Sequence, residues 1–169
     1  MTGWRLTTIV SSAAPGAARG ALDAAIELDL AYGGWRTAVE TPPIYAERMR
    51  VTISPRMVAR LNVQDSDGTL LVSLSRSLRP GCAAAYADDA IEAQRQPSLS
   101  LCLPIGGQSH VPEAMAAEVR AWIREEKIHV LHVAGSDESD EPGIQEATRD
   151  VLIWIFEDEI DRSDRRPSS

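Results

Sequence analysis

At 169 residues, 44% apolar and 25% charged, the chain has the size of one domain and too much apolar content for disorder along its length. A domain this long buries about 68–70% of the surface its unfolded chain exposes, enough for one core without staples. Its 17 Lys and Arg against 25 Asp and Glu leave a formal net charge of −8, which works against a nucleic-acid partner.

The apolar pattern alternates short β-type runs with longer helical ones. Leu6–Ser11 is rich in β-branched residues and predicts a first strand. From Ala17 to Leu30, residues Ala18, Leu22, Ala25 and Ile26 fall at i, i+4, i+7 and i+8, one stripe on a helix. Gly33-Gly34 breaks the pattern, and Thr41-Pro42-Pro43 forbids regular structure shortly after. Ser54-Pro55 supplies a cap and a first helical position for a short helix over Pro55–Leu61. Asp65-Ser66-Asp67-Gly68 is turn chemistry, and Thr69–Leu74 follows as a near-continuous apolar strand, suited to burial on both faces of a parallel sheet.

An alanine-rich helix comes next, with Ala83, Ala87, Ala90 and Ile91 on one side, then a strand over Leu99–Leu103 stopped by Pro104. Met115, Val119, Trp122 and Ile123 stripe a helix over Pro112–Glu126. His129–Ala134 predicts a further strand, and a last helix runs over Pro142–Ile160. Its run Val151–Phe156 is apolar on all sides, so it needs cover on more than one side, from the core alone or from a second copy in a homo-oligomer, the latter being the expectation.

This alternation predicts an α/β protein, a mostly parallel sheet with helices on both faces, as a single domain over residues 1–160. A disordered polar tail is expected over 161–169. No apolar run approaches the roughly 18 residues of a membrane span, and Met1–Leu6 lacks the long apolar stretch of a secretory leader. The cytoplasm, and no membrane partner, is the expectation. Cys82 and Cys102 lie twenty positions apart with no Cys or His at metal spacing, so they read as a small residue after a turn and a core strand residue.

In such sheets ligands bind beyond the carboxyl ends of the strands. Four loops therefore matter: Ser11–Ala18, Ser73–Gly81, Pro104–Val111 and Gly135–Gly143. They contain glycine and lead into helix N-termini, whose unpaired amides suit an anion. The first loop, with Ser12, Gly16 and Arg19, is neither a dinucleotide fingerprint nor a phosphate loop. Arg19 has two readings that stay open: a bidentate phosphate clamp, or an ion pair with Asp23 one turn on. Gly16 and Arg19 make the first candidate anion contact, Gly81 and the amide of Cys82 the second, and Gly135, Ser136 and Ser139 the third. Ser73 and Ser75 are candidate hydroxyl donors.

Other constellations read as structural. His129 and His132, three apart on a strand, project to opposite faces and cannot share a metal. Asp65-x-Asp67-Gly68 has its glycine too early for a calcium loop. Asp137, Glu138, Asp140 and Glu141 read as a solvated acidic loop, placed where negative charge complements the dipole of the last helix.

Several segments then occur in one order: Ala21–Ile26, Gly33-Gly34-Trp35, Asn62–Leu70, and Val130–Ser139 with Pro142-Gly143-Ile144. Together they resemble the molybdenum (molybdenum-cofactor) carrier family, over roughly residues 6 to 156. The resemblance implies a Rossmann-like three-layer α/β/α fold, distantly similar to the lysine-decarboxylase-like (LOG-type) phosphoribohydrolases. It implies a small anionic ligand, with molybdenum cofactor (molybdopterin) as cargo that is bound without turnover. The family's first loop reads Gly-Gly-Gln-Thr-Gly-Val-Asp-Arg; here Gly16 and Arg19 match, while Ser12, Ala13, Ala14, Pro15, Ala17 and Ala18 depart. A Pro-Lys-Gly-Arg stretch is replaced by Arg36-Thr37-Ala38-Val39, and the Pro-Arg pair after Gly135 by Ser136-Asp137. Where the phosphoribohydrolases carry a carboxylate, Ala85 stands, and alanine moves no proton. The expectation is a divergent binding protein with no catalytic residue and no metal ligand. A vestigial phosphoribohydrolase and a scaffold that has lost its pocket are the rivals.

Overall fold

The computed structural model describes residues 5–74, 83–104 and 113–164. Along the chain stand β1 (Thr8–Val10), α1 (Ala17–Glu27), β2 (Ala31–Arg36), α2 (Pro43–Ala46), β3 (Met49–Val51) and α3 (Pro55–Gln64). They are followed by β4 (Gly68–Ser73), α4 (Ala83–Gln94), β5 (Ser98–Cys102), α5 (Glu113–Glu125), β6 (Val130–Gly135) and α6 (Ile144–Asp164). The strands form one parallel sheet in the order β3-β2-β1-β6-β4-β5. The chain builds outward through β1, β2 and β3, crosses to lay down β4 and β5, and returns to place β6 between β1 and β4. The reversal lies at β1 and β6, and a crevice is expected at their carboxyl ends.

Strand alternation sorts the core into two layers. On one face Ile9, Leu70, Val72, Leu131 and Val133 pack with the buried sides of α1, α5 and α6. On the other, Leu71 and Ala134 meet Val63 of α3 and Ala87, Ala90 and Ile91 of α4. Both faces are therefore covered, giving the three-layer arrangement that the alternation predicts.

Helix α3 begins as its sequence dictates: Ser54 Oγ accepts from the Met57 amide at 3.2 Å and Pro55 takes the first turn, where its missing N–H costs nothing. α1 departs from a single stripe. Ala17, Ala18, Gly20, Ala21, Leu22, Ala24 and Ala25 are all buried, because the helix is packed against the sheet, α6 and Tyr45 together. On α6, Val151, Leu152, Ile155 and Phe156 are buried while Trp154 is 37% exposed, with the Arg120 guanidinium 5.9 Å from its ring centre. Much of that apolar run is thus covered within the chain by α1 and α5. The helix continues to Asp164.

Two strands escape the sequence pattern. Gly33-Gly34 does not interrupt structure but lies within β2. A Cβ on Gly33 would stand 2.6 Å from Arg48 O, and one on Gly34 would stand 2.5 Å from Ser11 O. Here glycine permits close approach of neighbouring backbone rather than ending a strand. β3 is a three-residue edge strand containing Arg50, too short and too polar to carry a period-2 signal. Pro43 opens the four-residue helix α2 instead of excluding one, since proline is tolerated at a helix start. Cys102 is half-buried at the end of β5 rather than in the core, and its thiol is free. Cys82 lies outside the described residues.

A cavity at the carboxyl ends of the strands

A cavity of about 360 Å³ opens beyond the carboxyl ends of β1, β2 and β6. Its walls come from the loop Ser12–Pro15 with Ala18 and Arg19 of α1, from Arg36–Thr41 after β2, and from His132 and Ala134–Asp137 of β6 and its loop. Pro55, Val58 and Ala59 of α3 and Tyr86 and Ala87 of α4 form an apolar side. The volume lies at the small end of the range for small-molecule sites.

Arg19 reaches the cavity under firm constraint. Its Nε donates to Ala13 O at 3.1 Å, and its guanidinium lies 5.5 Å from the Tyr45 ring centre. The ion pair with Asp23 does not form. Asp23 Oδ1 instead accepts from the Tyr45 hydroxyl, and its Oδ2 accepts from Gln145 Nε2 at 3.2 Å. Burial and the neighbouring Asp23 carboxylate push the Tyr45 hydroxyl up to a pKa of about 12, so Tyr45 stays a donor to Asp23. The second guanidinium belongs to Arg36, at the end of β2. Its Nη1 donates to Thr37 O at 3.1 Å and Val39 O at 3.3 Å, while its buried Nε has no partner among the described residues. Among the described residues neither Arg19 nor Arg36 is paired with a carboxylate. Glu40 and Asp137 add two carboxylates to the same lining.

His132 stands lower on the wall, 2% exposed on β6. Its Nδ1 lies 3.0 Å from Thr69 Oγ1 on the paired strand β4. Burial lowers its pKa from 6.5 to about 3, so the ring is neutral throughout the physiological range. His129, three residues earlier, is exposed and bonds Arg5 O through Nδ1 at 2.8 Å, on the opposite face as the strand period requires.

Of the residues singled out by sequence, Ser12, Arg19, Gly135 and Ser136 line this cavity. Gly16, Ser73 and Ser139 are not among its lining residues, and Ser75, Gly81 and Cys82 lie outside the described residues. Gly16 instead joins two loops. At φ +127° it bridges to Asp137, and a Cβ there would stand 2.4 Å from Ser136 O. The first amide of α1, Ala17 N, already donates to Ser136 O at 3.1 Å. Gly135 allows β4 and α1 to close in, since a Cβ would stand 1.9 Å from Val72 O. Ser12 Oγ accepts from Ala14 N at 3.3 Å and Ser139 is exposed.

The acidic loop is more than a solvated face. Glu138 accepts from Gly143 N at 2.6 Å and from Gln145 N at 2.9 Å, so a side-chain carboxylate fills the anion position at the N-terminus of α6. Glu141 Oε2 accepts from Leu74 N at 2.5 Å. The turn acids bond likewise: Asp67 Oδ2 accepts from His129 N and Val130 N, and Asp65 Oδ2 from Trp35 Nε1 at 2.8 Å. Asn62 takes Trp35 N with Oδ1 at 2.8 Å and gives Nδ2 to Trp35 O at 3.1 Å. These bonds explain why the Gly-Gly-Trp and Asn-x-x-Asp segments occur together. Among the described residues no three His, Cys, Asp or Glu gather as a metal site, and no described helix is long and apolar enough to cross a membrane.

Arg36, Glu40, Tyr86, His132 and Asp137 are among the lining residues that sequence reasoning did not place in the site. Arg36 could have been found only by recognising β2, because its value comes from standing at a strand's carboxyl end.

Residues 9–156 match the model of the circularly permuted YpsA SLOG family. The crystal structure of a protein named putative molybdenum carrier protein, from Syntrophus aciditrophicus SB, superposes with a TM-score of 0.76 at 30% sequence identity. The match covers 89% of this chain and 94% of that one. No curated protein matches the chain.

Proposed function

The chain belongs to the circularly permuted YpsA SLOG family, and we propose that it is a molybdenum carrier-like protein that binds a small phosphate-bearing ligand, of pterin or nucleotide type, without turning it over. Molybdenum cofactor is the cargo that the neighbour's name favours. One observation carries the reading: two guanidiniums, Arg19 and Arg36, line one cavity without carboxylate partners among the described residues, where Arg36 Nε is also buried and unbonded. A buried polar group without a partner is costly, and a ligand oxygen would satisfy it. Charge-assisted bonds to a phosphate are the strongest that such a site makes.

The apolar side formed by Pro55, Val58 and Tyr86 suits a flat ring rather than a second charged group. Glu40 and Asp137 oppose a highly charged ligand, which favours a monophosphate over a triphosphate. Binding without turnover is favoured by Ala85, which stands where the phosphoribohydrolases carry a carboxylate and moves no proton.

Thermal shift with inorganic phosphate, GMP, AMP, ATP and molybdopterin tests this. A ligand at 100 times its Kd stabilises by about 2.7 kcal/mol, or roughly 5–10 °C for a domain of this size. Arg19→Ala and Arg36→Gln should each weaken binding at least tenfold. No shift with any of these ligands, or shifts unchanged in both variants, overturns the reading. Release of free base from GMP or AMP overturns the absence of turnover.

A further inference from the structure

The wall of the cavity carries a fixed hydrogen-bond polarity that can be read atom by atom. Gln96 Nε2 donates to Val63 O at 2.7 Å and to Ser66 O at 3.0 Å. Two carbonyls on that side fix the amide orientation, so Gln96 Oε1 faces Thr69. An amide oxygen only accepts, and the Thr69 hydroxyl therefore spends its one proton on Oε1, at 2.5 Å. Thr69 Oγ1 then has only lone pairs to offer His132, and the proton of that contact must sit on His132 Nδ1. The remaining ring nitrogen, Nε2, is left as a bare acceptor. Among the described residues it has no donor, and the residue lines the cavity.

We infer that His132 Nε2 accepts a hydrogen bond from a ring N–H or amino group of the bound heterocycle, making His132 the residue that selects a donor-bearing ring at the cavity's inner wall. The inference rests on the phosphate-bearing ligand proposed above, and it names the chemistry of that ligand's other end. Arg19 and Arg36 would hold the phosphate while His132 reads the ring. A neutral imidazole that resists protonation serves recognition, because it remains an acceptor over the whole working pH range. A site built around one unpaired acceptor discriminates against a ligand that lacks the donor, since that acceptor then stays desolvated and unbonded.

Long-range proton–nitrogen correlation spectra of ¹⁵N-histidine-labelled protein test the first step without any ligand. His132 should carry its proton on Nδ1, with Nε2 unprotonated, from pH 5 to pH 8. A proton on Nε2 overturns the inference and leaves the proposed function standing. The second step uses GMP and AMP, whose rings carry donors, against ribose 5-phosphate, which has no ring donor. Binding of either nucleotide should move the Nε2 resonance upfield, and His132→Phe should weaken it about tenfold while leaving ribose 5-phosphate unchanged. His132→Gln, which keeps an acceptor, should recover part of that loss. If the nucleotides and ribose 5-phosphate bind equally and Nε2 does not move, the inference falls alone. If none binds the unmodified protein, the proposed function falls with it.

Discussion

His132 shows how one buried ring ties stability to acidity. Its folded-state pKa of about 3 lies below the unfolded value of 6.5, so below pH 6.5 the unfolded chain binds a proton that the folded chain refuses. Stability attributable to this group is whole above pH 6.5 and is lost as pH falls toward 3. Between pH 7.5 and pH 5 the loss is about 2 kcal/mol. Thr69 and Gln96 beside it are neutral, and the charged groups on the cavity are Arg19, Arg36, Glu40 and Asp137. Urea denaturation of the wild type and of His132→Asn at the two pH values measures the difference. The variant should lack most of this pH dependence, and parallel behaviour of the two proteins would contradict the assignment. The same residue marks what sequence could and could not tell. Its burial, and its placement opposite His129, follow from strand alternation. Its proton's location follows from Gln96, which is remote in sequence and has no motif to announce it.

At the scale of elements, loop β1–α1 and loop β6–α6 are locked together through Gly16. Gly16→Ala must bring a Cβ into Ser136 O and Glu138 N while holding φ at +127°, so both strain and collision oppose it. A destabilisation of at least about 3 kcal/mol is expected, with disruption of the cavity wall that Ser136 and Asp137 form. Gly143→Ala is the control. There φ is +91° but nothing lies within 4 Å, and the cost should be only about 1 kcal/mol. Equal losses in the two variants would show that the loops are not pressed together at Gly16. The sequence pattern found β1, β4, β5, β6 and helices α1, α3, α4, α5 and α6 to within a few residues, because each carries a period, a cap or an apolar run. It missed β2 and β3. The glycines of β2 look like punctuation until the neighbouring backbone is in view, and β3 has too few residues to show alternation. Missing β2 hid Arg36, so an error about one element became an omission from the candidate site.

At the scale of the whole molecule, the order of strands makes β6 the shared neighbour of two groups, β1-β2-β3 and β4-β5. Leu131 and Val133, both fully buried, lie in the core that joins them. Amides of β6 and β4 should therefore exchange most slowly with solvent, at rates set by global unfolding, while those of the edge strand β3 exchange earlier. Hydrogen-exchange mass spectrometry of the intact protein tests this; early exchange in β6 would mean that the groups hold together without it.

That placement has a consequence for how the protein is born. A ribosome reading from the amino end delivers five strands before the wedge that unites them, so the nascent polypeptide waits with two unsatisfied ladders facing the cell. A message truncated before residue 130 should yield not a smaller working protein but sticky fragments destined for chaperones or proteases.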